Sequence, residues 1–157
     1  MRIIDKICSP LFPAFKRAPS VVIAGFQKCG TTSLYQYLTQ TPYFLPGRKK
    51  ECNILSDSEY NYLEYLANFP YTFVAGHQQT LCASHQISYI PRGLRRLQKH
   101  LPDIKVIFIM RDPVARAWSR YQHNQRKNFS LHTKDPAFPW SFEELCRMVM
   151  DMVRRMR

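Results

Sequence analysis

Short continuous apolar runs alternate along the chain with longer stretches of helical spacing. Val21-Val22-Ile23-Ala24 is apolar throughout and stops at Gly25, as a strand buried on both faces does. Val106-Ile107-Phe108-Ile109-Met110 is the stronger such run and predicts a second buried strand. Thr31 to Thr39 reads as a helix with Leu34, Tyr37 and Leu38 on one face, ended by Thr41-Pro42. Pro91 opens a helix whose Leu94, Leu97 and Leu101 face inward while Arg95, Arg96 and Lys99 face water, and Pro102-Asp103 breaks it. Pro113 occupies a first-turn position, and a helix follows to about Asn128. Ser56-Asp57-Ser58-Glu59 and Ser141-Phe142-Glu143-Glu144 have capping-box spacing. Behind the first, Tyr62, Leu63, Leu66 and Phe69 supply an apolar face. Behind the second, Leu145, Met148, Val149, Met152, Val153 and Met156 form a stripe expected to face a core. Tyr71–Ala75 and Thr80–Ser84 are candidate strands, and residues 43–55 and 129–140 read as loops.

Strand–loop–helix thus occurs twice, at 21–39 and 106–128, with helices between. That order predicts an α/β fold, a parallel sheet with helices on both faces. The chain has 157 residues, 45% hydrophobic and 22% charged, which suits one globular domain and excludes wholesale disorder or collagen-like repetition. Residues 1–19 read as a leader of uncertain order. Asp5, Lys6, Pro10 and Pro13 break its apolar pattern, so it holds no run long enough for a signal peptide or a spanning helix. Residues 20–157 form the domain.

Charge narrows the partner. Lys and Arg number 23 against 11 Asp and Glu, a net +12. The sign alternates in blocks: +7 over residues 1–50, −4 over 51–90, where no Lys or Arg occurs, and +9 over 91–157. Such a distribution points to an anionic partner gathered by the two basic blocks. The five cysteines, Cys8, Cys29, Cys52, Cys82 and Cys146, include no CxxC pair, so neither a zinc site nor a disulfide framework is indicated and buried free thiols are expected.

Two loops carry the chemistry. The first, Gly25-Phe26-Gln27-Lys28-Cys29-Gly30-Thr31-Thr32-Ser33, follows a buried strand and opens a helix, so its amides meet at the positive end of a helix dipole. That arrangement holds a phosphate-like group. It resembles a Walker A loop, but Thr31 stands where the Walker lysine belongs and the lysine lies within the loop as Lys28. With Arg111 following the second strand rather than a magnesium carboxylate, an NTP–magnesium enzyme is disfavoured. The second loop, Arg111-Asp112-Pro113 with Ser119 two helical turns on, sits at another strand's carboxyl end, where open α/β sheets bind ligands. A guanidinium and a hydroxyl there suit a terminal phosphate monoester.

Together, GFQKCGTTSL and RDPVARAWSRY resemble the PAPS-dependent sulfotransferases, in particular the carbohydrate branch with the heparan sulfate sulfotransferases and N-acetylgalactosamine 4-sulfate 6-O-sulfotransferase. The resemblance implies a P-loop-like three-layer fold around a central parallel sheet. It assigns Gly25, Gln27, Lys28, Cys29, Gly30, Thr31, Thr32 and Ser33 to the 5′-phosphosulfate of 3′-phosphoadenosine 5′-phosphosulfate (PAPS), and Arg111 and Ser119 to its 3′-phosphate. Lys50-Glu51-Cys52-Asn53-Ile54 matches a third family element, with Glu51 standing 23 residues after Lys28. That match makes Glu51 the catalytic base and Lys28 its catalytic partner on the leaving phosphate, with no metal. At Cys82-Ala83-Ser84-His85 only Ser84 fits the family's Glu-Lys-Ser/Thr-Pro element, and the lysine is absent. His85 and His77 are the alternative bases. The family domain also runs beyond Arg157, so residues 20–157 are expected to be its N-terminal part, binding the nucleotide with little or no turnover.

The implied activity is transfer of a sulfuryl group to a hydroxyl or amine, with an acidic glycan as acceptor. No nucleic-acid partner is expected. The resemblance implies a Golgi location for a eukaryotic source and a cytoplasmic one otherwise. Two other readings stand beside it: a non-catalytic basic polyanion-binding protein, and a nucleotide kinase with an altered P-loop.

Overall fold

The computed structural model of the chain describes residues 15–130 and 141–155. The expected loop at 129–140 lies largely outside them, as do Cys8, residues 1–14 of the leader, and the side chains of Val149, Met152, Val153 and Met156. The chain divides into two compact units, residues 1–110 and 111–157.

The first unit is built on four strands, β1 Val21–Gly25, β2 Phe44–Glu51, β3 Gln79–Ala83 and β4 Lys105–Phe108, in the order β2-β3-β1-β4 with every pairing parallel. Alternation along β1 assigns its side chains to two cores. Val22 and Ala24 join Cys82, Leu55, Tyr65, Phe69 and Leu97 on one face; Val21 and Ile23 join Leu81, Ala83 and Tyr35 on the other. Helix α1, Thr31–Thr39, covers the second face. Helices α2, Tyr62–Ala67, and α4, Pro91–His100, cover the first with the turns Ile54–Ser56 and His85–Ser88. This is the three-layer α/β arrangement with a central parallel sheet. Each fully buried aliphatic side chain contributes about 1.5–3 kcal/mol to holding it. The chain enters the unit through an isolated bridge from Lys16 to Tyr71 and a hydrogen bond from Arg17 N to Pro70 O.

Several expectations are corrected. Residues 43–55 are not a loop: β2 occupies most of them, and its polar look reflects an edge strand with one neighbour. Its outer edge is occupied by Asn68, which accepts from Arg48 N and Lys49 N and donates to Lys49 O. Tyr71–Ala75 is not a strand, since Thr72–Ala75 forms the short helix α3. Ser56 caps nothing, because Asn61 starts α2 by accepting from Leu63 N. Tyr65 rather than the exposed Leu63 then turns inward. Within α1 the buried aromatic is Tyr35, and Tyr37 is exposed. In α4, Leu97 is buried but Leu94 is 45% exposed. Arg96 does not simply face water: it donates to Leu55 O, Asp57 O and Ser58 O and lies over the Tyr60 ring. The run at 106–110 does make a strand, but β4 is only half-buried and Met110 is 79% exposed.

The second unit contains α5, Pro113–Ser130, and α6, Phe142–Arg155. Asp112 Oδ1 accepts from Ala115 N, which caps α5 directly before its first-turn proline. The capping box at α6 forms as read: Ser141 N donates to Glu144 Oε2 at 2.6 Å and Glu144 N donates to Ser141 Oγ at 3.2 Å. Phe142 meets the stacked pair Trp118 and Tyr121. Met148 is exposed, contrary to the core-facing expectation, and so is the thiol of Cys146. Among the described residues, no helix is long and apolar enough to cross a membrane.

Candidate active site

The loop between β1 and α1 is closed by backbone contacts: Phe26 N donates to Ile109 O, and Cys29 N donates to Phe26 O. Gly25 is a close approach, since a Cβ there would stand 2.9 Å from Ser88 Oγ. Lys28 adopts φ 68°, a left-handed conformation costing an L-residue about 1–2 kcal/mol, and Gly30 adopts φ 94°. Two such residues in one short loop turn the chain sharply between β1 and α1. Gly30 stands at the N-cap of α1, where no side chain caps the first turn. A Cβ on Gly30 would meet nothing within 4 Å. Thr32 and Ser33 are exposed on that turn and Thr31 is buried beneath it. Uncapped amides, open space and a loop lysine make up a donor set of the kind that suits an anionic group.

Glu51 reaches the same end of the sheet through a break in register. β2 pairs Pro46 with Leu81 and then Glu51 with Ala83, so the intervening residues bulge outward. The bulge suspends strict alternation, and neighbouring side chains meet: Lys50 Nζ lies 3.1 Å from Glu51 Oε1. The same ammonium donates to Thr32 Oγ1 at 2.7 Å. On the other side, His85 Nδ1 lies 3.4 Å from Glu51 Oε2. Asn53 accepts from Ser84 Oγ at 2.8 Å and so ties the segment after Glu51 to the turn that carries His85. The carboxylate, 44% exposed, also borders an open cleft of about 470 Å³ beside Arg48, Lys49, Asp57 and Glu64.

Of the predicted site residues, the first unit brings together the phosphate loop and Glu51, with Lys50 as the link. His85 joins them. His77 does not: it precedes β3 whereas His85 follows it, so the strand separates them. In the second unit, exposed Arg111 directly precedes the cap Asp112, and half-buried Ser119 lies in α5. Sequence reasoning missed the tie from Lys50 to Thr32. Lys50 lies within the register break and Glu51 is the residue at which pairing with β3 resumes, a placement that the sequence does not signal.

Within the loop, the Cys29 thiol lies 3.9 Å from Gln27 O. Cys29, Cys52 and Cys82 are buried and free. Burial raises Cys52 to about 11 and Cys82 to about 12. Among the described residues, no group of three or more His, Cys, Asp or Glu is placed to hold a metal ion.

A central parallel sheet in an α/β unit, with an uncapped helix turn, a loop lysine and a carboxylate at its strand ends, defines a P-loop-like fold. The chain belongs to the sulfotransferase-domain family, which matches it over residues 18–154. It is 28% identical over 148 residues to the membrane-associated sulfotransferase kil1 of Dictyostelium discoideum, covering 93% of this chain and 31% of that protein. It is 27% identical over 139 residues to the human bifunctional heparan sulfate N-deacetylase/N-sulfotransferase 3, covering 82% of this chain and 15% of that one. The chain therefore spans a third or less of the length of these relatives. The crystal structure of a sulfotransferase from Alicyclobacillus acidocaldarius superposes with a TM-score of 0.64 at 25% identity, over 88% of this chain and 59% of that one.

Proposed function

We propose that the chain carries the donor half of a sulfotransferase site, in which a sulfuryl group passes from PAPS to a hydroxyl or amine of an acidic carbohydrate. The observation that carries the reading is the single ammonium of Lys50 joining Thr32 of the phosphate loop to Glu51, which sets donor loop and base within one side chain's reach. Gly25 to Ser33 would hold the phosphosulfate through backbone amides, Lys28 and the Thr and Ser hydroxyls. By motif resemblance, Arg111 and Ser119 take the 3′-phosphate. When bound, the nucleotide supplies a sulfuryl group whose S–O bond to the 5′-phosphate breaks, its electron pair staying on the phosphate, as a bond from sulfur to the acceptor forms. Glu51 accepts the acceptor's proton, and Lys28 neutralises the charge left on the phosphate. The chain's contribution is position and charge, as in phosphoryl transfer.

The His85 contact supports a second reading of the base, with His85 taking the proton directly or from Glu51. In a form of the enzyme that turns over substrate, Glu51→Gln should lower the sulfate-transfer rate roughly a hundredfold or more while leaving affinity for 3′-phosphoadenosine 5′-phosphate (PAP) nearly unchanged. Lys28→Ala should damage both. Full turnover by Glu51→Gln with loss in His85→Gln would move the base to His85. Magnesium-dependent ATP binding in place of PAP binding would favour the kinase reading. The heparan sulfate enzymes among the relatives support a glycan acceptor, while a Golgi setting for a eukaryotic source rests on the family resemblance alone.

A further inference from the structure

Lys50 belongs to a motif, yet nothing so far gives it a task of its own. Its Nζ is fixed by two contacts, 2.7 Å to Thr32 Oγ1 and 3.1 Å to Glu51 Oε1, and its side chain is only 24% exposed. Thr32 stands on the uncapped first turn of α1, and Glu51 is the base in the reading given above. The ammonium therefore lies between the donor's anchor and the acceptor's base, which is where the transferring group has to pass. An ammonium carries three donor hydrogens, and these two partners take two of them.

We propose that Lys50 is a ligand of the transferring sulfuryl group itself, separate from Lys28, whose place in the loop suits the phosphate. The proposal rests on the PAPS reading given above. Sulfuryl oxygens carry negative charge, and a fixed cation beside them forms charge-assisted hydrogen bonds that a flexible surface lysine would have to be ordered to make. Glu51 need not be disabled by its cation: as the sulfuryl oxygens engage Lys50, the carboxylate keeps His85 at 3.4 Å to hold its direction. Electrostatically, the groups facing Lys50 are then Glu51 on its own strand and the sulfuryl oxygens, while Thr32 contributes a neutral acceptor.

The two nucleotides that differ by the sulfuryl group test this without turnover. Dissociation constants for PAPS and PAP are measured by calorimetry on the full chain, wild type against Lys50→Met, Lys50→Gln, Lys50→Arg and Lys28→Ala, with far-UV circular dichroism verifying each fold. Lys50→Met and Lys50→Gln should weaken PAPS about tenfold or more and PAP by less than about twofold. Lys50→Arg restores the cation and should keep most of the PAPS affinity. Lys28→Ala should weaken both nucleotides. Equal losses for PAPS and PAP in the Lys50 variants, or no loss in either, would overturn the proposal while leaving the cofactor reading intact. Failure of the wild type to bind either nucleotide would overturn both.

Discussion

Glu51 shows how one carboxylate comes to be aimed by its surroundings. A cation on one oxygen and an imidazole on the other leave its rotamers little freedom, and the register break places it beside Ala83. Arg111 has the opposite setting, exposed and flanking a capped helix start, so its proposed role stands on ligand chemistry and not on packing. Arg111→Ala should weaken PAP binding by roughly 1.5–3 kcal/mol, and Ser119→Ala by about 1 kcal/mol, because a charged bidentate contact outweighs a neutral hydroxyl. Adenosine 5′-phosphosulfate, which lacks the 3′-phosphate, should barely distinguish either variant from wild type in calorimetry. Equal losses with both ligands would show that Arg111 does not hold the 3′-phosphate. At this scale the form of the loop was legible, since its glycines, lysine and hydroxyls stand between a strand and a helix as the spacing predicts, whereas the role of Glu51 rests on the family resemblance. The partners of Lys50 were not legible, because adjacent strand residues normally point to opposite faces and the register break that sets this aside leaves no local signature. Nor could spacing choose His85 over His77, which the fold sets on opposite sides of β3.

At the scale of elements, α4 meets the Ile54–Ser56 turn through its one glycine. A Cβ on Gly93 would collide with Ser56 Oγ and stand 3.3 Å from Ser56 Cβ. Arg92 Nε and Arg96 then clamp the carbonyls of the same segment. Gly93→Ala improves helix propensity by about 1 kcal/mol, yet overpacking costs about 1–3 kcal/mol, so the net effect should be destabilising. Chemical denaturation checks the sign, and Ser56→Ala in the same chain should recover most of the loss, since Ser56 Oγ is buried with no hydrogen-bond partner. Additive losses in the double variant would mean that the glycine is needed for its backbone freedom and not for room. Long periodic segments such as α1, α4 and α5 were readable from spacing. The capping box at Ser56 misled because tertiary contacts spend that turn on α4, while Asn61 caps α2. β2 hid because an edge strand with solvent on one side has no need of an apolar run. Thr72–Ala75 shows the reverse: β-branched and aromatic residues curled into a helical turn because Tyr71 and the N-terminal segment already hold its entry.

For the whole molecule, the +12 charge makes two modes of anion binding separable by salt. A surface that gathers polyanions by counterion release loses about 10³–10⁵ in affinity between about 50 and 200 mM salt when six to ten contacts are made. A nucleotide held by fixed amides and a few cations has fewer ions to release. Thermal stabilisation of the chain by PAP should therefore survive a rise from about 50 to 200 mM salt with a shift of less than about tenfold in apparent affinity, while binding to a heparin column collapses. Parallel loss of both would favour the non-catalytic polyanion binder.

The outer rim of β2 has one more consequence, for how copies of this chain behave toward one another. The bare margin of a sheet is a template on which a second molecule can lay a strand and begin a growing ribbon. Here Asn68 already occupies the amides of Arg48 and Lys49 and the carbonyl of Lys49, and Pro46 offers no amide at all. With cationic side chains standing beside it, this margin repels its own likeness, so the strand that delivers Glu51 is shut to recruitment by neighbours at high concentration.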